Sequence, residues 1–174
     1  LLYYARQLVL QRDWDLLAVD YVYGFDQRFQ DLPGSARRRW LAEDTKALHD
    51  RIQRDEAHGR LLLITKSLGT TVAPQLLELG LASVGGAAWL TPVLSDDRVV
   101  ETMRSFEPPA FLAIGTKDRY YDKAKLEEVR ENANLTVEEL ESADHSLEIK
   151  SDTRRSLELI GRYVEGLRRL FDSI

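Results

Sequence analysis

The sequence predicts an α/β fold, a mostly parallel sheet with helices on both faces, in a single domain spanning residues 1–174. Two observations lead there. Short apolar runs alternate with longer segments of helical period, five times over. A parallel sheet is built this way, because each parallel pairing needs a crossover that is usually a helix. The run at 60–65 (RLLLIT) is also nearly continuous in apolar side chains. Strands covered on both faces read like this.

Residues 1–12 read as a helix with Leu1, Leu2, Ala5 and Leu8 on one face. Residues 15–21 (DLLAVDY) read as a buried strand, and 23–35, with two glycines and a proline, as a loop. Ser35 is placed to cap the next helix, whose Leu41, Thr45, Leu48 and Ile52 share a face and which ends near His58 and Gly59. The second strand is 60–65. A helix over 68–79 follows, closed by Gly80, with Pro74 bending it or shifting its start. Residues 83–90 form the third strand, 96–104 a short helix and 110–115 the fourth strand. A helix over 123–132, a strand over 135–140 and a long helix over 151–171 complete the chain. Leu157, Ile160, Val164, Leu167 and Phe171 are expected to face inward from the last helix. No repeat, low-complexity tract or second domain is visible.

Composition narrows the function. The chain is 44% hydrophobic, enough at this length for a full core. A formal net charge of −5 disfavours nucleic acid and anionic membrane surfaces as partners. There is no cysteine, which excludes disulfides, zinc–thiolate sites and thiol nucleophiles and fits a reducing cytoplasm. No apolar run approaches the roughly 20 residues of a membrane helix, and no signal peptide is visible. The chain opens at Leu1, without methionine and inside an amphipathic pattern, so a segment upstream is expected.

The most informative segment is LLLITKSLGTTVAPQLL, residues 61–77. A buried strand runs straight into a helix, and the junction reads Thr65-Lys66-Ser67-Leu68-Gly69. Such a turn puts the serine at strained backbone angles and lifts its hydroxyl above the sheet, at the positive end of the helix. Small residues two before and two after the serine let strand and helix pass closely. Gly69 satisfies the second position, whereas β-branched Thr65 occupies the first and is expected to crowd the turn. The plainer reading is a serine capping a helix.

A serine alcohol needs a base, usually histidine, and the histidine needs a partner that orients it. Strand 110–115 is followed by Thr116-Lys117-Asp118-Arg119, and strand 135–140 by Glu141-Ser142-Ala143-Asp144-His145. Asp118 is thus the candidate acid, with Asp122, Asp96 and Asp97 as substitutes, and His145 the candidate base. Of the other histidines, His49 reads as solvent-exposed on a helix and His58 as a surface residue at a helix end.

TKSLGT, AIGTKDRYYD and ADHSLEI together resemble the alpha/beta-hydrolase superfamily across nearly the whole chain. The resemblance implies a hydrolase of esters or related acyl compounds that needs no cofactor and no metal. Its triad would be Ser67, His145 and Asp118, and the backbone N–H of Leu68 would supply one oxyanion donor. The serine argues against relatives that use aspartate or cysteine. The resemblance also implies that N-terminal strands are missing: one belongs between 15–21 and 60–65, and the second oxyanion donor lies on a loop upstream of Leu1. The piece from 91 to 108 is too short for a cap domain, so the site should be open. That favours small or exposed ester-like substrates, or a group displayed on a larger molecule, over buried long-chain lipids.

Lys66 either attracts an anionic substrate or is simply solvated. Trp89 either lines the pocket or is core. Tyr120 and Tyr121 border the site or a subunit contact, and a homo-oligomer stays open. Arg37, Arg38 and Arg39 read as a solvated first helical turn. Two other functions remain on the sequence alone. One is a catalytically inactive binding or scaffolding module on the same fold. The other, ranked lower, is a nucleotide or flavin binder, which lacks a Gly-x-Gly-x-x-Gly turn.

Overall fold

A computed structural model describes residues 1–21, 23, 26–54, 59–81 and 83–174. Its centre is a four-stranded parallel sheet in the order β1-β2-β3-β4, with β1 at Leu61–Lys66, β2 at Val84–Leu90, β3 at Ala110–Gly115 and β4 at Leu135–Leu140. Alternation along β2 and β3 makes two cores. Ala88, Leu90, Phe111 and Ala113 face α1 (Leu2–Leu10) and α7 (Thr153–Asp172). Trp89, Leu112 and Ile114 face α5 (Asp97–Ser105) and α6 (Lys123–Arg130). Helices therefore cover both faces, as expected. A third cluster joins α3 (Gly34–Arg54) and α4 (Ala73–Glu78) to β1 through Leu41, Leu48, Ile52, Leu76 and Leu63.

One expected strand is absent. Residues 15–20 form no regular structure and lie exposed, with Leu17 at 53%. A strand exists only through a partner's hydrogen bonds. The strand expected between this segment and β1 does not occur among the described residues, so neither side of the gap is paired. Among the described residues β1 bonds β2 alone, and all six of its residues are partly exposed, whereas β2 and β3 are buried almost throughout. Both faces of β1 are packed, as expected, Leu62 and Ile64 against the α1/α7 cluster and Leu61 and Leu63 on the other side, so its partial exposure follows from its place at the sheet edge.

Smaller corrections follow local physics. Residues 27–30, expected as loop, make a one-turn helix, α2 (Gln27–Gln30), because the Asp26 carboxylate accepts the N–H of Arg28. Helix α3 starts at Gly34, so Ser35 lies inside its first turn and does not cap it. Arg37, Arg38 and Arg39 are all exposed, as expected, and Arg37 also donates to the carbonyl of Gln30 and lies over Phe29. The expected end of α3 near His58 lies outside the described residues. Pro74 shifts the helix start, as one of the two alternatives held: residues Ser67–Thr71 form a 3-10 turn and α4 begins at Ala73. On α7 the buried stripe is Leu159, Tyr163, Gly166, Leu167 and Leu170, with Phe171, while Leu157 is 61% exposed. The reason is Gly166: a Cβ there would stand 2.4 Å from the Phe111 ring, so the helix turns this glycine onto β3. No helix among the described residues is long and apolar enough to cross a membrane.

Candidate active site

The carboxyl ends of β1, β3 and β4 carry the three residues that the sequence singles out. β1 ends at Lys66, and Ser67 follows with φ of +50°, a left-handed conformation that is uncommon for a residue with a side chain. The 3-10 turn begins there. Thr70, fully buried, donates its hydroxyl to the Ser67 carbonyl at 2.6 Å and accepts the N–H of Val93 at 3.2 Å, tying the turn to the loop after β2. Leu68 is the second residue of this turn, and the first N–H groups of a helix have no partner inside it. Thr65 does not crowd the turn as expected. Its hydroxyl donates to the Ala88 carbonyl at 3.2 Å, and a Cβ on Gly69 would lie 4.0 Å from its own Cβ, an ordinary contact.

Asp118 follows β3 in a tight turn closed by the Asp118 N–H to the Gly115 carbonyl. Its side chain is fully buried. One oxygen, Oδ1, accepts the N–H of Tyr120 at 3.0 Å; the other, Oδ2, lies 2.8 Å from His145 Nδ1. On its far side, His145 Nε2 lies 3.0 Å from Ser67 Oγ. The Ser67–His145–Asp118 chain is thus within hydrogen-bond reach at both links, with the imidazole 27% exposed. The substitutes for the acid are used elsewhere. Asp96 and Asp122 cap α5 and α6, and Asp97 pairs with Lys125. His49 is less exposed than expected, at 15% of its side chain, and among the described residues it bonds Asp50 and Gln53 on its own helix.

Gly115 and Thr116 hold the acid loop and the histidine loop together, and neither stands out in the sequence. The Ala143 carbonyl accepts the N–H of Lys117 at 2.9 Å, and Thr116 accepts the N–H of Ser142 at 2.8 Å. The two backbones cross so closely that a Cβ on Gly115 would meet the Ala143 oxygen at 2.1 Å. A glycine ending an apolar strand is the only sequence signal for such a crossing. Trp89 is plain core, fully buried with its ring edge-on to Phe106. Tyr120 borders the site: its ring centre is 5.7 Å from that of His145, edge-on.

Tyr121 turns the other way and donates its hydroxyl to Glu139 at 2.5 Å. That bond is the main cause holding the Glu139 carboxyl below its ordinary range, with Arg130 assisting against burial. It also leads the causes that push the Tyr121 phenol up to about 12. Removing the bond in Tyr121→Phe is expected to cost about 1 kcal/mol near neutral pH. The sign of each shift sets the window. Stabilisation through Glu139 is complete above its unfolded pKa and is lost as pH falls through the lowered folded value. Stabilisation through Tyr121 is complete below about pH 10 and is lost as pH rises through the raised value. Urea denaturation across pH checks this: the two proteins should converge in acid and differ on the plateau between.

Among the described residues, no group of three or more His, Asp and Glu side chains is arranged to hold a metal ion. The family model of the alpha/beta hydrolase domain matches residues 3–167. The chain belongs to the alpha/beta-hydrolase family. Solved structures agree on the fold of this hydrolase. An alpha/beta-superfamily protein of Xanthomonas campestris superposes with a TM-score of 0.63 at 14% identity, over 99% of this chain and 89% of its own. The monoacylglycerol lipase of Paleococcus ferrophilus gives 0.56 at 15% identity, over 74% and 75%. The esterase domain of a Rhodothermus marinus protein gives 0.52 at 14%, over 74% and 68%. No curated protein matches the chain in sequence.

Proposed function

We propose that this hydrolase cleaves esters or related acyl compounds through a Ser67–His145–Asp118 triad and an acyl-enzyme, with no cofactor. The observation that carries the reading is His145 standing between the other two, 3.0 Å from Ser67 Oγ and 2.8 Å from Asp118 Oδ2. In the tautomer this reading requires, Nδ1–H donates to Asp118 and Nε2 accepts the Ser67 O–H. Ser67 Oγ attacks the carbonyl carbon as Nε2 takes its proton. The tetrahedral oxyanion is met by the Leu68 N–H. Nε2–H then protonates the leaving alkoxide, and the carbonyl reforms as a serine ester. Water, deprotonated by the same Nε2, releases the acid and restores Ser67. Asp118 keeps the tautomer and stabilises the charged imidazole.

Between β2 and β3 there is only α5 with its flanking loops, so no cap domain is inserted at that point. This supports small or exposed ester-like substrates. The lack of cysteine supports a reducing compartment such as the cytoplasm. A free β1 edge favours a second reading, a binding module that has kept the fold without the chemistry. Pre-steady-state hydrolysis of p-nitrophenyl acetate separates the two. An acyl-enzyme gives a burst of p-nitrophenol approaching one equivalent that Ser67→Ala abolishes. Release no faster than buffer, from folded protein, supports the binding module.

A further inference from the structure

Two cations flank the proposed nucleophile without carboxylate partners. Lys66 immediately precedes Ser67, and Arg119 immediately follows Asp118. Along β1, Leu62 and Ile64 pack on the α1/α7 face, so strand alternation puts Lys66 on that face at the carboxyl edge. The loop bearing His145 descends over the same face, with Ala143 and Leu147 buried in the same cluster. The Arg119 guanidinium lies 4.7 Å from the centre of the Tyr120 ring, and that ring meets His145 edge-on. One cation therefore stands beside the serine and the other one aromatic ring away from the imidazole.

Near the same sheet, Arg130 is paired with Glu139 and Lys125 with Asp97. Among the described residues Lys66 and Arg119 have no carboxylate at ion-pair distance. Lys66 is partly buried. Burial lowers its ammonium pKa first, Asp118 opposes that, and Arg119 adds to the lowering. Asp118 is already engaged by His145 and the Tyr120 N–H. Two like charges within electrostatic reach disfavour each other, and with Asp118 committed elsewhere an anion bound near both relieves that repulsion.

We propose that Lys66 and Arg119 form an anion subsite of the active site, selecting esters that carry a negatively charged group near the scissile carbonyl. The inference rests on the serine-hydrolase reading and names its substrate class. The shared chemistry is the negative charge, on either the acyl or the alcohol side. Two matched pairs distinguish the sides: p-nitrophenyl hemiglutarate against p-nitrophenyl butyrate, and 4-acetoxybenzoate against phenyl acetate.

The expected result with the full chain is a kcat/KM ratio, anionic over neutral, about tenfold higher in one pair than the intrinsic reactivities in buffer predict. That excess should fall about fivefold or more in Lys66→Met and in Arg119→Met, and be kept in Lys66→Arg. In the unsubstituted protein it should shrink in 0.5 M sodium chloride, where screening shortens the reach of the charges. A ratio in both pairs indifferent to salt and to both methionine variants overturns the subsite. Binding is read without turnover by titrating Ser67→Ala with monomethyl glutarate and with methyl butyrate under NMR. Tighter, salt-sensitive binding of the anion supports the subsite even if no ester is hydrolysed, which would sink only the catalytic reading. Equal binding of the two, with Ser67-dependent hydrolysis intact and no preference for the anion in either ester pair, sinks only the subsite.

Discussion

His145→Ala is expected to lower kcat for an activated ester by about ten-thousand-fold or more, with KM little changed. The size follows from the two roles given to one nitrogen. Nε2 removes the Ser67 proton in the first step and protonates the leaving group in the second, and a serine alcohol near neutral pH is a weak nucleophile without it. Asp118→Asn should cost about as much while leaving the fold in place. The amide oxygen can still accept the Tyr120 N–H that Oδ1 accepts now. The amide N–H₂ then faces Nδ1, forcing the proton onto Nε2, where it blocks acceptance from Ser67. Asp122→Asn, at a helix cap, should change kcat by no more than severalfold. Steady-state kinetics with circular dichroism as the fold control decides it. Comparable losses in Asp118→Asn and Asp122→Asn would remove Asp118 from its role.

The second large effect is structural in origin. Gly115→Ala is expected to destabilise the protein by about 2–3 kcal/mol and to lower kcat by about a hundredfold. The added Cβ would stand 2.1 Å from the Ala143 oxygen and 2.5 Å from its carbonyl carbon. Both are backbone atoms, so no rotamer change relieves the clash. That carbonyl also accepts the Lys117 N–H at 2.9 Å, so pushing it away opens the bond joining the acid loop to the histidine loop. The loops then separate by a fraction of the distance on which the His145–Asp118 contact depends. Thermal unfolding should show a drop of roughly 5–10 °C for a chain of this length. Gly161→Ala makes the contrast. It lies within α7 with nothing within 4 Å of its imagined Cβ, so it should raise stability by up to about 1 kcal/mol. If Gly115→Ala behaved like Gly161→Ala, the loop crossing would not be what positions His145.

What the sequence discloses and what it hides divide along the range of the interactions involved. Ser67, Asp118 and His145 are legible because each is a polar residue just past an apolar run, and chain order restricts the pairings. Pro74 announces the displaced helix start, since a missing N–H acts locally. The segment DLLAVDY misleads because its pattern is that of a strand while strand formation needs a neighbour the pattern does not contain. On α7, counting large aliphatics selects Leu157, but the face is chosen by Gly166 against Phe111, a contact 55 residues away in sequence. Gly115 stays silent for the same reason, its partner being the carbonyl of another loop. Lys66 is noticed in the sequence only for its place beside Ser67, and Arg119 is an ordinary surface letter until the sheet brings the two to one rim.

The most direct test of the central claim is the site of reaction with a fluorophosphonate. Peptide mass spectrometry of the treated, folded protein should find a single adduct on Ser67, formed far more slowly in His145→Ala and absent in Ser67→Ala. An adduct on another residue, or an unmodified Ser67 in folded protein after prolonged exposure, would contradict the account.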